Sequence, residues 1–371
     1  MIVVLHAYSR ANAGDGLLVD LSLERLARVG IRPADCTVLA LDAASFADLP
    51  RVVKVGTARR SVDGEMVRAA GTGMGQLAGA LNRRLGFGPA AAAIEESDGL
   101  VAVGGGYLRA GTPVNMFGTA INHLPQLTAA ARTGRPAVYL PQSIGPLRGP
   151  VGAAVTAALR RVDAVHVRDD RSVQALATVG GVRRTPDLVV LDVAERFDPR
   201  AVGTALDRPI VVARSLSDAP DYLAGLRSLA AHLGEVIWAV QAEGGAEKSD
   251  REFYRRAGLP AAGRLTEELG RPGAGPVVSV RLHGALQAVL RGVPAIHLGY
   301  ERKSRGAYQD LGLTDWLHDA RRFDPRVVAD QVTALRRDPS PFWTAVERRR
   351  DQLLEASDRL TGSIRSTIGG A

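Results

Sequence analysis

The residues best suited to chemistry cluster near the C-terminal third of the chain. Arg281-Leu282-His283-Gly284 closes the apolar run Val277 to Val280, and Tyr300-Glu301-Arg302-Lys303 follows a second run, Val293 to Leu298. An arginine, an imidazole and a lysine at the ends of two neighbouring strands make a site for an anion, because each presents N–H groups and two carry fixed charge. The chain has three lysines, Lys54, Lys248 and Lys303, against 44 arginines, so Lys303 stands out. A lysine suits a compact charge that meets a phosphate or carboxylate without a planar fork. Asp15, in the stretch Tyr8 to Gly16, supplies a carboxylate that either caps the next helix or takes up a proton. Taken singly, Lys303 also reads as a surface residue, and His283 as a satisfied histidine at a helix start.

The elements that must position these groups follow from periodicity. Val277 to Val280 reads as a strand, Gly284 to Arg291 as a helix and Val293 to Leu298 as a strand, which together form a βαβ unit. In open α/β sheets, ligands lie outside the carboxyl ends of the strands. The same arrangement recurs upstream. Asp98 to Val103 runs into Gly104-Gly105-Gly106, where the backbone can approach a ligand closely. Ala137 to Leu140 runs into Gln142 and Ser143, and Ala164 to Val167 runs into Arg168. Ile2 to Leu5 and Thr37 to Leu41 add strands, and Leu17 to Val29 a helix ended by Gly30. Val114 to Arg132 reads as one helix, and Ser172 to Val179 as a helix capped by Asp169 or Asp170. Thr57 to Ala93, with Gly71, Gly73 and Gly75, reads as a helical excursion that would cover the site as a lid. Asp192 to Pro209 reads as the linker before new strands at Ile210 to Ala213 and Val236 to Val240.

The expected fold class is therefore α/β, with two Rossmann-like domains facing a central cleft. Their ranges are 1–195 and 205–340, and a charged helix in 341–371 packs back toward the first domain. No G-x-G-x-x-G fingerprint is present, which disfavours a dinucleotide.

Composition narrows the function classes. With 371 residues, 46% of them apolar, the chain has material for two cores. One cysteine, Cys36, excludes a disulfide framework and a thiolate metal cluster. The start of the chain has no basic, apolar leader, and no apolar run reaches the roughly 18 residues of a membrane span, so a cytoplasmic location is expected. The net charge of +8 suits anionic substrates or a membrane surface. Scattered arginines and 5% aromatics argue against nucleic acid, so a peripheral contact at the inner membrane face ranks above it. No His or carboxylate spacing of the zinc type is present.

The ordered set Asn12-Ala13-Gly14-Asp15, Gly104-Gly105-Gly106, Pro141-Gln142-Ser143-Ile144-Gly145-Pro146, Arg168-Asp169-Asp170-Arg171-Ser172, Pro186-Asp187 and Arg281-Leu282-His283-Gly284 resembles the polysaccharide pyruvyl transferase family over most of the chain. The resemblance implies a fold like that of GT-B glycosyltransferases. It also implies transfer of pyruvyl from phosphoenolpyruvate to a sugar as a cyclic ketal, without a further cofactor. The donor would be held by Arg168, Arg281 and His283, with Leu282 contributing its backbone. Asp15 and Lys303 match further positions of the family, and Asn12, Gly105, Gly106, Gln142 and Ser143 would complete the substrate site. His283, Asp15 and Arg168 would carry the catalysis. The first domain would serve the acceptor, a glycan or lipid-linked sugar, and the second the donor. A nucleotide-sugar glycosyltransferase and a silent sugar-binding homologue remain as alternatives. This sequence departs from the common family form at Gly16, where an acidic residue often follows the aspartate, and in its long Thr57 to Ala93 segment.

Overall fold

The computed structural model describes residues 1–55, 88–197, 208–217, 219–243, 249–261, 263–300 and 302–369, with the backbone alone at Arg302 and Lys303. The expected lid falls outside the described residues as far as 87, and from Gly88 to Glu95 the chain is helical. Contacts divide the chain into two compact units. The first comprises Met1–Arg10, Asp15–Leu188 and Ser357–Ala371, and the second Ala11–Gly14 and Val189–Ala356.

The first unit is built on a seven-stranded parallel sheet. Its strands are β1 (Ile2–Ala7), β2 (Cys36–Ala40), β3 (Val52–Lys54), β4 (Gly99–Ala102), β5 (Ala137–Gln142), β6 (Ala164–Val167) and β7 (Val182–Arg184), in the order β3-β2-β1-β4-β5-β6-β7. Chain direction across the sheet reverses between β1 and β4, the place where open sheets of this type hold ligands. Every residue of β1, β4, β5 and β6 is buried, as expected of parallel strands covered on both faces, and this is why they read as unbroken apolar runs. Val3, Leu5, Leu100, Ala102 and Tyr139 are fully buried in this core. Each large apolar side chain so buried contributes about 1.5–3 kcal/mol.

The second unit carries a five-stranded parallel sheet of β8 (Ile210–Val212), β9 (Ile237–Trp238), β10 (Val277–Ser279), β11 (Ala295–Gly299) and β12 (Leu317–Asp319), in the order β12-β11-β10-β8-β9. Here the reversal lies between β8 and β10. The two sheets and their flanking helices are the Rossmann-like pair that the strand pattern predicts.

Several elements differ from the sequence reading. The stretch 114–132 is two helices, Pro113–Asn122 and Leu124–Thr133, broken at His123 just before Pro125. Asp192 to Arg196, read as linker, completes the helix Leu188–Arg196, in which Arg196 pairs with buried Asp192 at 2.8 Å, one turn away. Residues 198–207 of the expected linker lie outside the described residues. The last helix runs Ser340–Ile368, and from Ser357 onward it belongs to the first unit. There Ser357 accepts from the buried Arg25 guanidinium, and Ser363 lies 3.0 Å from His166 Nε2. No helix among the described residues is long and apolar enough to cross a membrane.

Candidate functional site

In the first unit the polar groups gather at the carboxyl ends of β4, β5 and β6. Gly105 bridges Gln142 in parallel register, and Ser143 N–H donates to Gly105 O at 2.8 Å. Arg168 N–H donates to Gln142 O at 3.1 Å, which extends the ladder one residue beyond β6. The predicted residues Gly105, Gln142, Ser143 and Arg168 are thus brought together by backbone hydrogen bonds, with Gly106 next in the chain.

The Arg168 side chain is 3% exposed. It donates through Nε to Ser143 Oγ at 3.0 Å and through Nη1 to the fully buried Asp187. Its Nη2 is buried and has no hydrogen-bond partner among the described residues, and the same holds for both amide atoms of Gln142. A buried polar atom left unmatched costs about 1–3 kcal/mol, so three of them at one sheet edge mark a place where a polar ligand or water completes the site.

The glycines divide the work there. A Cβ on Gly104 would lie 2.8 Å from Pro141 O, so this glycine lets β4 and β5 close up. A Cβ on Gly106 would lie 3.0 Å from Arg109 Nη2 and 3.6 Å from Arg168 Nη2. Gly106 therefore opens the space between two guanidinium groups, and Arg109 joins the site although the sequence reading did not include it.

In the second unit the groups sit at the switch between β8 and β10. The helix after β10 begins earlier than periodicity suggested, at Leu282, so Arg281 is its N-cap and His283 lies in its first turn. Leu282 is buried. The Arg281 guanidinium forks onto the fully buried Asp250, with Nε at 2.8 and 3.0 Å from its two oxygens. Asp250 also accepts from Gln241 N–H at 3.0 Å and Ala242 N–H at 2.9 Å. With Arg281 Nη2, which also donates to Asp250, four donors fix this carboxylate, which in turn fixes the arginine. Gly284 leaves room for two polar side chains, since a Cβ there would lie 2.2 Å from Gln241 Oε1 and 2.8 Å from Ser279 Oγ. Lys303 is the second residue of the helix Arg302–Asp310, but its side chain lies outside the described residues, as does its expected convergence with Arg281.

The helix after β1 also starts early, at Ala13, so Asp15 is in its first turn rather than at the cap. A carboxylate there is favoured by the positive end of the helix dipole. Asn12 Oδ1 accepts from Gly14 N–H at 3.2 Å. Asp169 caps the helix Asp170–Ala175, accepting from Ser172 N–H at 2.9 Å.

The profile of the polysaccharide pyruvyl transferase family matches residues 12–250. The chain belongs to the polysaccharide pyruvyl transferase family. No curated protein matches it by sequence. Among solved structures it is similar to a spinosyn rhamnosyltransferase, with a TM-score of 0.53, 12% identity and coverage of 98% of this chain and 99% of that one. It is also similar to a UDP-GlcNAc 2-epimerase from Neisseria meningitidis bound to UDP-GlcNAc, with a TM-score of 0.51, 10% identity and coverage of 99% and 100%. A UGT transferase from Siraitia grosvenorii in complex with UDP gives a TM-score of 0.51, 11% identity and coverage of 98% and 99%. At these identities the likeness is one of fold, a GT-B-like pairing of Rossmann-like units.

The matched span of the family profile takes in Asn12, Asp15, the three glycines, Gln142, Ser143, Arg168 and Asp250, and it stops short of Arg281 and His283. In this pyruvyl transferase family member a buried network also lies beneath the glycine-rich edge. His6, in β1, has φ +68, and no other described residue apart from glycines has a positive φ. Such a backbone costs of order 1–3 kcal/mol and persists only where surroundings enforce it. His6 N–H donates to Gln126 Oε1 at 2.9 Å, His6 Nε2 lies 3.0 Å from Tyr139 OH, and His6 Nδ1 lies 3.4 Å from His123 Nδ1. The Tyr107 ring sits 4.7 Å from His6 and 4.8 Å from His123 between centroids, and a Cβ on Gly105 would lie 3.1 Å from its Cδ1. Burial pushes His123 down to about 3, and burial with the neighbouring His123 holds His6 well below the usual imidazole range.

Proposed function

We propose that the protein transfers the pyruvyl group of phosphoenolpyruvate to two hydroxyls of a glycan or lipid-linked sugar, forming a cyclic ketal and releasing phosphate. The observation that carries this reading is the buried Arg168 guanidinium, held by Asp187 and Ser143, with one N–H edge unmatched beside Gly106. A fork already fixed on two sides presents its remaining N–H to an anion at little cost in entropy. Arg281, held in the same way by Asp250, supplies a second fixed cation at the start of a helix. A donor that carries both a carboxylate and a phosphate calls for at least two such groups.

In this reading C3 of the enol gains a proton and C2 gains a bond to the first sugar oxygen, whose proton is lost. The second hydroxyl then bonds to C2 as the C2–O bond to phosphate breaks, and its proton leaves with phosphate. The sum is phosphoenolpyruvate plus diol to ketal plus phosphate, with no cofactor. His283 protonates or hydrogen-bonds the donor, Asp15 takes the acceptor proton, and Arg168, Arg281 and Lys303 hold the carboxylate and phosphate. The reaction belongs in the cytoplasm, where a lipid-linked acceptor would be met at the inner membrane face.

Calorimetric titration with phosphoenolpyruvate, uridine diphosphate and inorganic phosphate tests the donor. Saturable binding of phosphoenolpyruvate is expected, weakened at least tenfold, about 1.4 kcal/mol, in both Arg281→Ala and His283→Ala. Binding of uridine diphosphate without phosphoenolpyruvate would move the chain to nucleotide-sugar chemistry.

A further inference from the structure

Within the second unit, the short stretch Ala11–Gly14 is held from two sides. Along one side it pairs with residues 241–243: Glu243 N–H donates to Ala11 O at 3.0 Å, Asn12 bridges Ala242 in antiparallel register, and Ala13 N–H reaches Gln241 O at 3.5 Å. On the other side lies the helix Leu282–Leu290, whose residues 283 and 287 are one turn apart and share a face. Gln287 Nε2 donates to Ala13 O at 3.3 Å. His283 lies directly against Gly14, where a Cβ would stand 2.6 Å from His283 Cβ and 2.7 Å from its Nδ1. Real side chains do not approach so closely, and because one of the crowded atoms is a Cβ, rotating the imidazole cannot relieve the overlap. The imidazole therefore occupies the space that a side chain at position 14 would take.

We propose that Gly14 is a positioning residue for His283, with Gln287 and residues 241–243 holding the 11–14 turn against the imidazole. This rests on the reading of His283 as a donor-binding group. Any side chain at position 14 must displace either the turn, which three hydrogen bonds to residues 241, 243 and 287 resist, or the first helical turn that carries His283 and Arg281. A misplacement of about 1 Å is enough to cost a site two orders of magnitude. The Asn12-Ala13-Gly14-Asp15 sequence thereby acquires two separable tasks, with Gly14 serving His283 and Asp15 its own carboxylate chemistry.

The test is titration with phosphoenolpyruvate in wild type, Gly14→Ala, His283→Gly and the double variant. Gly14→Ala is expected to raise the Kd at least tenfold. In the His283→Gly background, where neither ring nor Cβ remains to be displaced, the same change is expected to alter the Kd by less than twofold. A general loss of stability would instead add in both backgrounds. Gly16→Ala serves as the control, since its Cβ would meet only Arg10, first its flexible side chain at 3.2 Å and then its Cα at 3.4 Å, and the Kd should stay within twofold of wild type. Should Gly14→Ala not fold, Gln287→Met keeps the volume, removes the donor to Ala13 O, and is expected to raise the Kd about threefold. Wild type that binds while Gly14→Ala, or Gln287→Met in its place, binds equally well overturns the positioning role alone. Wild type that binds no phosphoenolpyruvate overturns the functional reading, and the positioning role with it.

Discussion

Asp187→Asn is expected to destabilise the first unit by about 3–5 kcal/mol, because it leaves the Arg168 charge buried without its counter-ion. The two side chains are 3% and 1% exposed, so water cannot take over the lost interaction. Removing the pair altogether should cost much less: in Arg168→Met with Asp187→Leu no buried charge remains, and most of the loss should be recovered. Urea unfolding followed by far-UV circular dichroism measures both. The tryptophans offer a further discrimination, since Trp238, Trp316 and Trp343 all lie in the second unit. Their fluorescence should report the companion change Asp250→Asn, which leaves Arg281 without its carboxylate. If Asp187→Asn shifts the circular dichroism midpoint by no more than a surface substitution, about 0.5 kcal/mol, the ion pair does not hold Arg168 in place.

The same two ion pairs show what the sequence could and could not disclose. Parallel strands buried on both faces print as apolar runs, and the residue that follows each run must lie at the sheet's ligand edge, so Arg168, Arg281 and the three glycines were legible from strand ends alone. Asp187 was visible within a family motif, but its task was not. It lies 19 residues from Arg168, and only the β6–β7 pairing brings them together. Asp250 gave no signal, because it looks like any acidic residue in the first turn of a charged helix, yet it is fully buried beneath Arg281. The start of the helix Leu282–Leu290 was hidden because its cap is not a Ser, Thr, Asp or Asn. Arg281 caps a helix with no side-chain bond, so pattern reading moved the start past His283. Gly14 enters the sequence reading only as part of a motif, whereas in the structure it leaves space for a side chain 269 positions further along the chain. Steric vacancy of this kind has no sequence signature.

Acidification is expected to unfold the first unit well before its carboxylates titrate. His6, His123 and His166 are all buried there, and burial is the first cause that lowers each of them, to about 3 at His123, about 4 at His166 and well below the ordinary value at His6. The positive charge of Arg183 also opposes protonation of His166. In the unfolded chain these imidazoles take up protons near pH 6.5, while the folded protein keeps them neutral. The unfolded state therefore binds more protons below pH 6.5. The stabilisation from neutral burial is complete above that value and is lost as pH falls toward 4 and 3. Each histidine contributes a slope of about 1.4 kcal/mol per pH unit, so three together remove about 4–6 kcal/mol between pH 6.5 and 5, a range in which ordinary carboxylates remain ionised. That is comparable with the whole stability of many domains. His166→Asn is expected to flatten the slope by about one proton, although it must still satisfy Thr185 and Ser363, which lie 2.8 and 3.0 Å from the ring nitrogens. His123→Asn should do the same and also relieve His6, whose protonation His123 opposes. Urea midpoints at four values from pH 7.5 to 4.5 give the slope directly. An unchanged slope in both variants would mean that these imidazoles are already protonated in the folded state, and the neutral His6–His123–Tyr139 network beneath the glycine-rich edge would have to be abandoned.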